Sequence, residues 1–234
     1  MANHEFITLS VQGNEMDAYI ALPEGEGTFP GIILLQEAFG VTQHIRNIAE
    51  RFCEEGYAVI APDLFHRTAK RLEVGYGDFA SAKPHFDAIT NDGLEADLKS
   101  CYDWMQKQGN VDDQKIGSVG FCLGGRVSFL ANAVLPLAAG VSYYGGGLDT
   151  LANKAVDLHA PHLFFWGGKD THILPENIDR IVDAVKSAGK DYISTVISYA
   201  DHGFNCDERS SYHPLAAKEA WATTLQFFEN RLKG

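Results

Sequence analysis

Gly120-Phe121-Cys122-Leu123-Gly124 sets a cysteine between glycines placed two residues before and two after it, where an apolar run gives way to a helix-forming stretch. That spacing suits a nucleophile elbow, a strained strand-to-helix turn with no room for flanking side chains that pushes the central one out of the backbone. Serine is the usual occupant; here it is cysteine. At a helix N-terminus the dipole favours a thiolate, and the backbone N–H of Leu123 can point at a developing oxyanion. The competing reading is a buried structural cysteine among glycines that serve tight strand-helix packing.

A thiol nucleophile needs a base, and the base needs a partner to orient it. Asp170 stands just beyond the apolar run HLFFWGG, and His202 just beyond DYISTVISY. Ends of parallel strands converge on one crevice, so residues far apart in sequence can meet there. His202 would take the thiol proton and return it to the leaving group, while Asp170 would fix the imidazole tautomer and stabilise the imidazolium. Taken singly, each reads as a turn former or a loop residue; their joint position carries the argument.

The elements that must position these residues follow from periodicity. Residues 5–11 and 15–22 alternate apolar and polar around Gln12-Gly13-Asn14, an opening antiparallel hairpin. GIILLQ (31–36) and YAVIAPDL (57–64) read as strands buried on both faces, joined by a helix over 42–56 that Gly56 terminates. From Phe65 to Thr90 the chain reads as a long irregular excursion over the site. Helices at 93–108, 123–134, 175–189 and 214–232 then alternate with strands at 115–120, 137–145, 162–168 and 191–199. The expected architecture is a single α/β domain over 1–234, with a mostly parallel central sheet and helices on both faces.

Composition narrows the function classes. With 19 basic against 31 acidic residues, the formal charge of -12 repels polyanions and supplies no basic stripe, which argues against nucleic acid. No apolar stretch approaches the length of a membrane helix, and MANHEFITLS lacks the regions of a leader, so a cytoplasmic location without a membrane partner is expected. Cys53, Cys101, Cys122 and Cys206 form no CxxC pair and read as reduced thiols. His66, His162 and His172 lack metal-ligand spacing, and Gly145 to Asp149 does not form GxGxxG; no metal or cofactor is expected. Short exposed elements and a negative surface suit a monomer.

The chain resembles the dienelactone hydrolase family along essentially its whole length. The resemblance is carried by Gln36-Glu37-Ala38-Phe39-Gly40, Ala61-Pro62-Asp63-Leu64, Gly120 to Gly125, Tyr143-Tyr144-Gly145, Gly167 to Asp170, and His202-Gly203-Phe204. It implies an α/β-hydrolase fold and a Cys-His-Asp triad, with the order Cys122, Asp170, His202 fitting that fold. It further implies that Glu37 sits near the thiol and that the N–H of Ala38 completes the oxyanion hole with Leu123. A carboxylate there would accept the S–H hydrogen bond and disfavour the thiolate until substrate arrives.

One feature of the family is absent. Characterised members grip the substrate carboxylate with two arginines, one of them four residues after the catalytic histidine, where this chain has Cys206. Arg67 and Arg71 fall in the excursion, but neither can be assigned as the second. A neutral or differently shaped ester or lactone is therefore expected. Tyr76, Phe79, His85 and Phe86 could line an apolar pocket, with Tyr144 as a polar contact, or pack the excursion onto the core. A peptidase or acyl transferase on the same triad, and an inactive binding or sensor protein on this scaffold, are the alternative functions.

Overall fold

The computed structural model describes residues 3–234, and the chain divides into two compact units, 1–116 and 117–234.

In the first unit, β1 (Asn3–Val11) and β2 (Asn14–Leu22) form the expected hairpin, Val11 facing Asn14 across a two-residue turn. Gln12 and Gly13 both have positive φ (50° and 82°), the backbone that matches the twist of the strands. β3 (Phe29–Leu35) and β4 (Ala58–Pro62) pair in parallel, and β4 pairs antiparallel with β2, giving the order β1-β2-β4-β3. Helix α1 (Gln43–Glu54) sets Ile45, Ile48, Ala49 and Phe52 on its buried face and packs against β2 and β4. Gly56 beyond it is left-handed, at φ 84°. Helix α3 (Asn91–Met105) buries Leu94, Leu98 and Cys101 against β1, β3 and β4.

The excursion is not wholly irregular: it holds helix α2 (Phe79–Asp87), whose Asp78 side chain caps the N-terminus by accepting from Ser81 N at 3.2 Å. Pro84 inside so short a helix removes a backbone donor and masks it in the sequence.

β5 (Val111–Phe121) leads into the second unit, where β5, β6 (Ala139–Tyr143), β7 (His162–Gly167) and β8 (Tyr192–Ile197) are all parallel and in sequential order. Parallel neighbours need crossovers, supplied by α4 (Leu123–Val134), a 3₁₀ helix (Leu148–Asp157) and α5 (Pro175–Ser187). The 3₁₀ stretch was not foreseen. α6 (Pro214–Phe228) closes the chain against β7 and runs into a π-helical turn, Glu229–Lys233. Among the described residues, no helix is long and apolar enough to cross a membrane.

Candidate active site

Cys122 adopts φ 55° and ψ -115° between the end of β5 and the start of α4. Such a backbone costs a residue with a side chain on the order of 1–3 kcal/mol, so its surroundings must enforce it. Cys122 N donates to Tyr143 O at 3.1 Å, and Cys122 O accepts from Gly125 N at 3.0 Å and Arg126 N at 3.4 Å. The glycines make the turn possible: a Cβ on Gly120 would stand 1.9 Å from Gly124 O, and one on Gly125 2.7 Å from Tyr143 O. Cys122 is partly exposed, whereas Cys53, Cys101 and Cys206 are buried. The structural-cysteine reading therefore fits those three and not Cys122.

Asp170 follows β7, and His202 lies in the turns beyond β8. One oxygen of Asp170, Oδ1, accepts from the backbone N–H of His172 (2.7 Å) and Ile173 (3.1 Å); the other, Oδ2, lies 2.7 Å from His202 Nδ1. His202 is in turn hydrogen-bonded to Cys122. With Nδ1–H committed to the carboxylate, Nε2 is the nitrogen left for the thiol. Burial alone would push His202 down, but hydrogen bonds to Asp170 and Cys122 and the electrostatic pull of both groups outweigh it and raise it to about 10. Burial would raise Asp170; its bonds to His202 and the two N–H groups hold it below its ordinary value.

Two rings flank the imidazole. Tyr144, fully buried and at φ 37°, packs 5.1 Å from His202 and 5.1 Å from Phe204. Exposed His172 stands edge-on at 5.4 Å. Gly203 beside His202 has φ 77°, and a Cβ there would come within 2.6 Å of the Arg209 guanidinium. Leu123 opens α4, where backbone N–H groups lack partners within the helix.

Glu37 and Ala38 belong to the first unit, both buried in the turn after β3. Gln36 pins that turn by accepting from Leu64 N at 3.0 Å and donating to Glu37 O at 3.3 Å. Gly40 closes it in a bridge with Glu37, at φ 95°, where a Cβ would strike Leu72 O.

The aromatic residues of the excursion pack on one another and on this turn. Tyr76 lies 4.8 Å from Phe39 and its hydroxyl 2.9 Å from that of Thr42; Phe79 contacts Phe39 and Phe86; His85 bonds Thr68. Both arginines are engaged within their own unit. Arg67 binds Asp97 through two 2.8 Å bonds, and Arg71 binds Asp17 at 2.5 Å.

Sequence patterns did not single out a buried polar chain in the second unit, Asn132-His162-Ser142, whose Ser142 bonds the carbonyl of Gly125. A serine and a histidine inside apolar strands form no motif; only their packing reveals them.

Comparison with known proteins decides the family, since residues 16–232 match the pattern of the dienelactone hydrolase family. The chain belongs to the dienelactone hydrolase family. Among the relatives of this family member is a Synechocystis protein named "Putative carboxymethylenebutenolidase", 31% identical, with 97% of this chain and 96% of the relative covered. A Yersinia pestis protein of the same name is 36% identical, covering 94% of this chain and 86% of its own. The crystal structure of a "Putative Dienelactone Hydrolase" from Klebsiella pneumoniae matches with a TM-score of 0.88 at 32% identity, over 97% of this chain and 98% of that one. This dienelactone hydrolase family member is thus a hydrolase with the expected α/β fold.

Proposed function

We propose that this family member hydrolyses a small ester or lactone through Cys122, His202 and Asp170, by way of a thioester acyl-enzyme. The observation that carries the reading is the hydrogen-bonded series from Asp170 through His202 to a partly exposed Cys122 on a strained turn.

His202 holds the proton drawn from Sγ as sulfur attacks the carbonyl carbon, and the oxyanion forms toward the Leu123 N–H. As the tetrahedral intermediate collapses, the C–O bond breaks and the leaving alkoxide takes the proton from His202; in a lactone it stays tethered to the acyl group. Water then gives a proton to His202 and attacks the thioester, releasing the acid and restoring the thiol. The family resemblance adds the Ala38 N–H as a second oxyanion donor and Glu37 as a carboxylate that quiets the resting thiol.

A neutral substrate suits this chain. Arg67 and Arg71 are already held by aspartates, and Cys206 is a buried thiol where a carboxylate-gripping arginine would stand. Kinetics on a panel of p-nitrophenyl esters, small lactones and peptides test the reading. Turnover of neutral esters or lactones, abolished by Cys122→Ala, is expected; turnover of peptides alone, or none that needs Cys122, overturns it.

A further inference from the structure

Ser142 occupies β6 directly opposite Gly120, the first glycine of the elbow, and it is buried. Its hydroxyl lies 2.5 Å from Gly125 O and 2.8 Å from His162 Nε2. His162 is also buried, and its other nitrogen, Nδ1, faces Asn132 Nδ2 at 3.1 Å. Asn132 has its amide orientation set by the backbone, its Nδ2 donating to Ala160 O at 2.9 Å and its Oδ1 accepting from Ala160 N at 3.0 Å.

Only one arrangement of protons satisfies all these partners. Asn132 donates to Nδ1, so that nitrogen is an acceptor and the ring proton sits on Nε2. His162 Nε2–H then donates to Ser142 Oγ, and the Ser142 proton goes to Gly125 O. Burial keeps His162 neutral by pushing it down to about 3, which preserves this single tautomer.

The chain ends in the turn that carries the chemistry. Gly125 N and Arg126 N both bind Cys122 O, so the Gly125 peptide, Cys122 and Leu123 move as one hydrogen-bonded ring. We propose that Ser142 is a positioning residue: its bond to the Gly125 carbonyl, braced by His162 and Asn132, fixes the first turn of α4 so that the Leu123 N–H meets the oxyanion. This inference rests on the function proposed above. Ser142 is buried and acts through the backbone of the turn, not on substrate. Misplacing an oxyanion donor slows the chemical steps and leaves ground-state binding largely intact.

The test measures kcat, KM and the rate of Cys122 alkylation by iodoacetamide in the wild type, Ser142→Ala and Ser142→Thr. Alkylation reports the thiolate and its access but forms no oxyanion. Ser142→Ala should lower kcat about 10-fold or more, with KM and alkylation changing less than about twofold; Ser142→Thr, which keeps the hydroxyl, should restore most of kcat. Unchanged kcat in Ser142→Ala, or alkylation falling in parallel with it, overturns the proposal. Should Ser142→Ala fail to fold, His162→Leu removes the brace from the other side: a loss of kcat without loss of alkylation supports the role, and unchanged kcat refutes it. A wild type inactive on every ester and lactone refutes the proposed function, whereas an active wild type with an indifferent Ser142→Ala refutes this inference alone.

Discussion

Asp170 and His202 are joined at 2.7 Å through the one carboxylate oxygen that the loop leaves open, since the backbone N–H groups of His172 and Ile173 already hold the other. The loop after β7 thereby aims a single oxygen at Nδ1 and turns Nε2 toward the sulfur. Orientation of the imidazole is built into the backbone.

Replacing that oxygen with an amide should stall the enzyme without unfolding it. In Asp170→Asn the amide can donate to Nδ1 and favour the tautomer with its proton on Nε2, which cannot accept from the thiol. We expect kcat to fall about 10³-fold or more. The His202 titration, followed by NMR, should move down from about 10 toward ordinary histidine values. A His202 titration that does not move would contradict the charge argument.

Two buried histidines are shifted in opposite directions and give stability opposite pH slopes. His202 is raised to about 10 from an ordinary 6.5, so its contribution is complete below about 6.5 and fades as pH rises through about 10. His162 is lowered to about 3, so the native state resists a proton that the unfolded chain accepts, and stability falls as pH drops below about 6.5. Urea unfolding across pH should show Asp170→Asn losing least relative to wild type at the alkaline end. His162→Leu should flatten the acid limb.

The hairpin, the alternation of helices and parallel strands and the sharp turn at Cys122 were legible because each rests on a local rule: period two, period 3.6, or glycine spacing. The excursion misled because Pro84 disguised α2, and the 3₁₀ helix at Leu148–Asp157 is too tight to show a helical period. Ser142 and His162 were illegible for a different reason. Buried strands of a parallel sheet read as continuous apolar runs, and a polar residue inside one takes its meaning from neighbours that only the fold supplies. Tyr144 was noticed, but not that its ring would lie buried against His202.

Arg67 should matter for stability more than for substrate choice. Asp97 is buried and held by two bonds from Arg67 and one from His66 at 3.1 Å. Asp97→Ala leaves a partly solvated cation without its partner and should cost about 3 kcal/mol in urea unfolding. Arg67→Ala should destabilise while leaving the kcat/KM ratio for carboxylate-bearing over neutral lactones within about twofold. A collapse of that ratio would mean that Arg67 grips substrate.

In the proposed reaction Cys122 becomes acylated with His202 as its base. Intact-protein mass spectrometry during turnover of a slow ester or lactone measures this directly. A mass increase equal to the acyl group, mapped to Cys122 and absent from His202→Ala, is expected. Turnover with an unmodified Cys122, or an adduct that forms equally well without His202, would contradict it.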